Sequence, residues 1–434
     1  MNPTVSVILT SYNQPQLVGR AIESMLAQTF DQWELYIMDD ASNEQTQNVI
    51  REYIHHPNIH YINSEVNDCD RHKTTRYASL INQAIPLTSG QYISYLTDDT
   101  EYEPERLAEL VTFLRQHPDV AVVYSAQRVV QLDTKFRRQS ERIDKTNGVL
   151  AHAAGLVDHC SVMHTRNIAD RVYQTYGSYW DDDPIHWYNG DAAFWRRLNR
   201  WSSFYPVKSV LDTTYQTPSS FQQLSQYTPQ HLPDGLLIQG VSSQVYLLDQ
   251  QKRRPISTEI FSQLKYDSSK IVQISDPLLF KYSQGSGIDS HIMQTGPFPS
   301  QQLVQCEASG AIYFIQQGYK RRLLGDQVLH KWRFNRQLLI MLSLERLASI
   351  PDGCPITDDL TKTMIPDGRL CQFQRTFYIS QYGYLHQISG KVLNRLKFTR
   401  QALIPLRQYE FTALPQGEPY MWRWIDANNQ PQQF

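Results

Sequence analysis

No apolar run in this sequence approaches the ~18 to 20 residues that a membrane-spanning helix needs. Cysteine is scarce: Cys69, Cys160, Cys306, Cys354 and Cys371 are odd in number and show no CxxC spacing. That excludes a disulfide scaffold and a structural zinc site, and it fits a reducing cytosol. A basic excess is missing too, with 41 Lys plus Arg against 43 Asp plus Glu and a formal charge of -2. Dedicated nucleic-acid binders show the opposite balance, so no nucleic-acid partner is expected. The opening run Val5 to Leu9 is shorter than the roughly 7 to 15 residues of a secretory core, so a cytoplasmic chain is expected. What is present is a chain of 434 residues with 41% apolar content. That length suits two or three domains, each able to bury its own core.

Strand-like and helix-like segments alternate as far as residue 215. Strands are expected at Val5 to Leu9, Trp33 to Met38, Ile59 to Asn63, Tyr92 to Leu96 and Val120 to Tyr124. Helices are expected at Leu17 to Ala27, Glu44 to Tyr53, Thr74 to Ala84 and Pro104 to Gln116. Pro104 suits a first helical turn, where its missing N–H has no partner to lose. The alternation predicts an α/β domain over 1–215 with a largely parallel sheet, whose ligand edge lies beyond the carboxyl ends of the strands. Residues 216–231 are rich in Gln, Ser, Thr and Pro and read as a linker.

Beyond it, 232–434 repeats itself, predicting an α+β region. Tyr246-Leu247-Leu248 recurs as Tyr313-Phe314-Ile315. Lys252-Arg253-Arg254, Ile260-Phe261 and Gly285 recur 68 residues on as Lys320-Arg321-Arg322, Val328-Leu329 and Gly353. A third, diverged copy carries Phe377-Tyr378-Ile379, Val392-Leu393 and Gly417. The copies span about 232–290, 300–357 and 364–421. Units of roughly 60 residues are small alone, so the three are expected to pack together. The Lys-Arg-Arg triplets read as hairpin surface. The region is a candidate for contact with a glycan or a coat protein.

Three acidic clusters stand out. Asp39-Asp40 follows one expected strand and Asp98-Asp99 another, both at the ligand edge. Asp191 follows Gly190, with Asp181-Asp182-Asp183 upstream reading as solvated turn residues. Carboxylates at strand ends suit a hard divalent cation, Mg²⁺ or Mn²⁺, held between protein and a diphosphate. Asp191 is the candidate general base, because its preceding glycine lets substrate come close. Set against this, a lone Asp-Asp after a strand is more often a turn or a helix cap. The histidines at 55, 56, 60 and 72 lack a zinc pattern.

The first domain resembles the family 2 glycosyltransferases in Val5-Ser6-Val7-Ile8-Leu9-Thr10-Ser11-Tyr12-Asn13 and Ala21 to Phe30. The same holds for Asp39-Asp40-Ala41-Ser42 and Thr97-Asp98-Asp99-Thr100. Lys73 to Ile85, Asp158 to His164 and Gly177 to Asp181 are similar to the spore-coat polysaccharide members of that family. The resemblance covers about residues 4–213, with an overall layout like a longer, spore-maturation type. It implies a GT-A (Rossmann-like) fold, a nucleoside diphosphate (UDP or dTDP) sugar donor, a divalent metal (Mn²⁺ or Mg²⁺) and a hydroxyl acceptor such as a glycan. By position, Thr10, Tyr12, Asp40, Arg71 and Asp98 would line the nucleotide site. Tyr12 would stack on the base, Asp40 would accept its imide N–H, and Arg71 would add a donor fork. Asp99 would be the metal ligand, Asp191 the general base, and Asp158 with His159 would sit at the acceptor. The resemblance implies inverting transfer in spore-coat or surface polysaccharide formation. A non-catalytic assembly or glycan-binding role through the repeats is the alternative. Processive members carry Gln-x-x-Arg-Trp; here Arg197 stands at the glutamine position before Arg200-Trp201, which implies a non-processive enzyme.

Overall fold

The structure is a computed structural model that describes residues 3–360, 363–425 and 431–433. The end of the region 232–434 therefore lies outside the described residues. The chain divides into two compact units, Met1–Gln223 and Leu224–Trp424.

The first unit is built on one sheet. Its strands are β1 (Val5–Ser11), β2 (Trp33–Asp39), β3 (Ile59–Asn63), β4 (Tyr92–Thr97), β5 (Thr100–Tyr102), β6 (Val122–Leu132), β7 (Arg138–Asp144), β8 (Val162–Thr165) and β9 (Phe204–Gln216). They lie in the order β3-β2-β1-β4-β8-β6-β9-β5, with β7 hairpinned onto β6. Helices are α1 (Val18–Leu26), α2 (Glu44–Arg51), α3 (Arg76–Ala84), α4 (Arg106–Gln116), α5 (Arg166–Tyr176) and α6 (Gly190–Leu198). Every residue of β1 is buried, as expected of a strand covered on both faces. Its side chains alternate between two cores: Val5, Val7 and Leu9 pack on one face, Ile8 on the other. Helix α1 buries Val18, Ala21, Ile22 and Met25, one stripe at helical spacing.

The mixed α/β fold holds, but the sheet is less parallel than the sequence suggested. Strands β3, β2, β1 and β4 run parallel, as do β6 and β9. The pairs β4–β8, β6–β8, β5–β9 and β6–β7 are antiparallel. Among the described residues, no α-helix lies between β6 and β7 or between β7 and β8 to make the crossover that parallel neighbours require. Helix α4 begins at Arg106, and Pro104 lies in the turn before it. The polar stretch after Arg128 is a hairpin whose β7 arm is exposed throughout. The stretch 216–231 carries a short helix, α7 (Phe221–Ser225), with Leu224 and Thr228 buried.

The second unit holds three sheets of one build. Each centres on three antiparallel strands: 237–239, 245–249 and 252–255; then 303–306, 312–316 and 319–322; then 370–373, 376–381 and 384–388. A parallel strand flanks each first strand, at 272–273, 340–342 and 404–405. Three cores lie between them. One joins Leu248 and Val272 to Ile379 and Leu393, one joins Leu247 and Ile260 to Ile315 and Leu342, and one joins Phe314 and Val328 to Tyr378 and Leu385. First meets second, second meets third and third meets first, so the unit closes into a ring.

One polar contact repeats at each junction. The Ser300 amide donates to Asp249, the Asp367 amide to Gln316 and the Asp234 amide to Gln381. The hairpins pair Asp249 with Lys252, Gln316 with Tyr319 and Gln381 with Tyr384. Arg253-Arg254 is thereby equivalent to Lys320-Arg321 and Leu385-His386. The Lys-Arg-Arg match at 68 residues is one position out of this register, and in a strand one position is the opposite face. Of the basic side chains, only Lys252 and Arg322 are hairpin surface. Arg253, Arg254, Lys320 and Arg321 are all buried, because each has a carbonyl to satisfy. Arg254 Nε donates to the Ser286 carbonyl and Arg321 Nε to that of Cys354, both near 3 Å. In the third sheet His386 Nδ1 meets the Glu418 carbonyl at 2.7 Å.

Replacing Gln381 by Ala strips the Asp234 amide of its acceptor in a buried setting. The expected loss is about 1 to 3 kcal/mol, read as a lower midpoint for the C-terminal unit in chemical denaturation. An unchanged midpoint would show that the junction contact contributes nothing.

Candidate active site

Strands β1, β2 and β4 end side by side, so Thr10, Asp39-Asp40 and Asp98-Asp99 gather at one edge of the sheet. Asp98 is buried, and one of its oxygens accepts the Tyr12 amide at 2.7 Å. Asp99 accepts the Thr97 hydroxyl at 2.6 Å. Burial raises both carboxyls above the usual carboxylate range, Asp98 strongly, with Asp99 adding to the effect on Asp98. Asp158 further raises Asp99 and His159 lowers it, so the turn 158–161 faces the strand ends.

Asp191 lies in the first turn of α6 and accepts the Ala192 amide at 2.7 Å. Burial pushes it up to about 6, and the same two neighbours act on it, His159 lowering and Asp158 raising. Asp99, Asp158, His159 and Asp191 therefore form one electrostatic cluster. Asp158 caps its turn through the Cys160 amide at 2.9 Å and also accepts from Gln127. The His159 ring stacks on Tyr77 and meets Trp180 edge-on, and its Nε2 is buried without a hydrogen-bond partner.

Asp40 departs from the imide-reading role. Both of its oxygens are taken by guanidinium groups: Arg71 at 2.6 Å on one, Arg76 at 2.6 and 3.0 Å on the other, which also accepts from Ser64. A carboxylate so filled shapes the site by fixing two arginines. The Arg71 fork is likewise spent, on Asp40, Asp68 and the Ala41 carbonyl, and its guanidinium lies 4.2 Å over the Tyr12 ring. Arg76 escaped the sequence reading, since nothing in its helical pattern marks it as a partner of Asp40.

A second group was also missed. Arg106 and Asp212 are fully buried and meet at 3.3 Å. Arg106 donates to the Cys160 carbonyl, and Asp212 accepts from Ser161 and Gln127. Burial pushes Asp212 up to about 6 although Arg106 opposes it. A signal was there: Arg106 shares the buried face of α4 with Leu110 and Leu114. Asp181 is no free turn residue either, being held by Arg197 at 2.6 Å. A cavity of about 490 Å³ opens beside the cluster, lined by Tyr124, Gln127, Lys145, Asn147, Leu156 and Asp158 among others.

Asp99 fits a hard divalent cation: its carboxylate offers hard oxygen donors at the strand ends, with the Asp98 and Asp158 carboxylates close enough to act on the same electrostatics. Asp158, His159 and Cys160 offer ligand atoms within 4.8 Å of one another. The buried Cys160 thiol is pushed well above its ordinary value, which suits it poorly to a hard ion.

Sheet, acidic strand ends and an acid at a helix start define a transferase of GT-A architecture. The family comparison agrees with that class. Residues 6–177 match the family model Glycosyl transferase family 2. Protein CgeD of Bacillus subtilis (strain 168) is 40% identical over 424 residues, covering 97% of this chain and 96% of its own length. The putative colanic acid biosynthesis glycosyl transferase WcaA of Escherichia coli (strain K12) is 34% identical over 133 residues, 30% of this chain and 44% of its own. Among solved structures, S. aureus TarS 1-349 in complex with UDP is similar at a TM-score of 0.37 and 14% identity, covering 51% of this chain and 63% of that one. The chain belongs to glycosyl transferase family 2 and is a glycosyltransferase. No helix among the described residues is long and apolar enough to cross a membrane.

For Asp191 to serve as the expected general base, its carboxyl at about 6 must first lose its proton. Turnover should therefore rise with pH through about 6 and level off above it, measured as nucleotide release against pH. A flat profile between pH 5 and 7 would remove Asp191 from that role. Arg106→Met should cost about 3 to 5 kcal/mol, because it strips the buried Asp212 of its ion-pair partner and the Cys160 carbonyl of a donor; urea denaturation of the variant checks this.

Proposed function

We propose that this chain moves a sugar from a nucleoside diphosphate donor, UDP or dTDP, to an acceptor hydroxyl, inverting the anomeric configuration. One observation carries the reading. The Asp191 carboxyl is raised to about 6, near the ambient pH at which a general base works best, and it belongs to one electrostatic cluster with Asp99 at the strand ends.

Thr10, Tyr12 and Asp98 line the nucleoside. The Tyr12 ring, backed by Arg71, stacks on the base, while Asp40 holds Arg71 and Arg76 in place. Asp99 holds the divalent metal, Mn²⁺ or Mg²⁺, which when bound neutralises charge on the departing diphosphate. The acceptor enters through the cavity that Asp158 shares with the cluster, with His159 beside it. Its hydroxyl gives a proton to Asp191 and attacks the anomeric carbon, and the nucleotide leaves from the opposite face. Such a base contributes about 10² to 10⁴-fold in rate. Arg197 stands where processive members carry glutamine before Arg200-Trp201, which supports single transfers rather than processive synthesis. The likeness of residues 73–85 and 158–164 to spore-coat polysaccharide enzymes supports a place in spore-coat or surface polysaccharide formation, with the C-terminal ring as contact for glycan or coat protein.

Calorimetry with UDP and dTDP, each with and without Mn²⁺, tests the donor site; metal-dependent binding of one is expected, and no binding by folded protein refutes the site. Asp191→Asn should cut turnover at least about 100-fold while that nucleotide still binds. Full activity in this variant would refute the base.

A further inference from the structure

Tyr77 lies on α3 beside Arg76, far in sequence from His159 and Gly190, yet it touches both. Its hydroxyl accepts the Gly190 amide at 2.8 Å, at the residue that opens α6 and precedes Asp191. The same hydroxyl points its hydrogen toward the His186 carbonyl at 3.5 Å. Its ring stacks on His159 at 6.0 Å and 16°, and sets its edge to Trp180. The fit at Gly190 is close. A β-carbon there would lie 2.5 Å from the Tyr77 oxygen, a contact that real side chains do not make. Glycine is thus required here by the tyrosine, and not by backbone strain.

The first amides of a helix have no partner within it. One of them is spent on a side chain from another helix, and this fixes where the first turn of α6 starts. Asp191 rides on that turn. The other end of α6's approach is held as well: Asn189, before Gly190, meets His186 Nδ1 at 3.1 Å.

We propose that Tyr77 is a positioning residue for the transfer reaction: it sets the Asp191 carboxylate and the His159 ring relative to each other, through the Gly190 amide and ring stacking. This rests on the reading of Asp191 as the base. The hydroxyl neither gives nor takes a proton in the reaction; it acts through the backbone of α6.

Tyr77→Phe keeps the ring and removes the hydroxyl. With release of nucleotide from the donor sugar as the assay, kcat should fall about 3- to 10-fold, the range for one lost hydrogen bond. The donor KM and the calorimetric affinity for the nucleotide should not move. The acid limb of the kcat profile should shift to lower pH, since a loosened Asp191 is better solvated. Gly190→Ala should lower kcat with the same split. An unchanged kcat and acid limb in Tyr77→Phe, or a lower melting temperature alone, would overturn the proposal. A Tyr77→Phe enzyme that loses donor affinity instead of kcat would overturn it too. Asp191→Asn separates the two ideas: full turnover there defeats the base itself, whereas a dead Asp191→Asn beside an unaffected Tyr77→Phe defeats only the positioning.

Discussion

Arg106 and Asp212 meet at 3.3 Å with neither side chain exposed to water, and the turn that carries Asp158 and His159 hangs from them. Arg106 holds the Cys160 carbonyl at 2.5 Å, and Asp212 holds the Ser161 hydroxyl at 3.2 Å. Gln127 bridges Asp212 to Asp158. The pair thus ties α4, β6 and β9 to a segment with little regular structure of its own. A buried ion pair is weak evidence for net stability, since desolvation cancels much of the attraction. Its value here is geometric. The Cys160 carbonyl, the Ser161 hydroxyl and the Asp158 carboxylate are each held from outside the loop, and this puts Asp158 and His159 opposite the strand ends.

The site above that pair is electrostatically uncomfortable by construction. Asp98, Asp99 and Asp191 all hold their protons more tightly than free carboxyls do, chiefly because burial penalises charge. A structural cluster would be expected to carry its own counter-charge, as Asp40 does with Arg71 and Arg76. These three have no arginine against them among the described ion pairs. The contrast divides the acids by task. Asp40 is neutralised within the protein and serves as architecture. Asp98, Asp99 and Asp191 have no such ion pair among the described residues, and burial leaves them holding protons more tightly.

This division explains which parts were legible in the sequence. The strand ends and their acids could be read, because buried strands are short apolar runs and the acids follow directly after them. Alternation of strand and helix disclosed the architecture of the first unit as far as Tyr124, though not β5, β7, β8 and β9 or helices α5 and α6. Which acid meets which base could not be read. Asp40 and Arg71 look as available for ligand in sequence as Asp99 does, and only the fold shows Asp40 spent on guanidinium groups. Tyr77 is invisible for the same reason: its partner Gly190 lies on another helix, and a tyrosine in an amphipathic pattern reads as packing.

The second unit shows how a sequence repeat can be seen and still be misaligned. The matched Lys-Arg-Arg triplets suggest a basic surface in register, but the hairpin pairing places Arg254 against Arg321 and then His386. All three do one job, closing on a carbonyl of the segment that carries Gly285, Gly353 or Gly417. At each of these glycines a β-carbon would press within 3.0 Å of the equivalent side chain, namely Arg254, Arg321 or His386. The constraint common to the copies is thus a planar nitrogen donor over a glycine, and not positive charge. Histidine meets it in the third sheet, where Leu385 fills the place of Arg253 and Lys320. That is why the triplet fades there while the ring still closes through Asp249, Gln316 and Gln381.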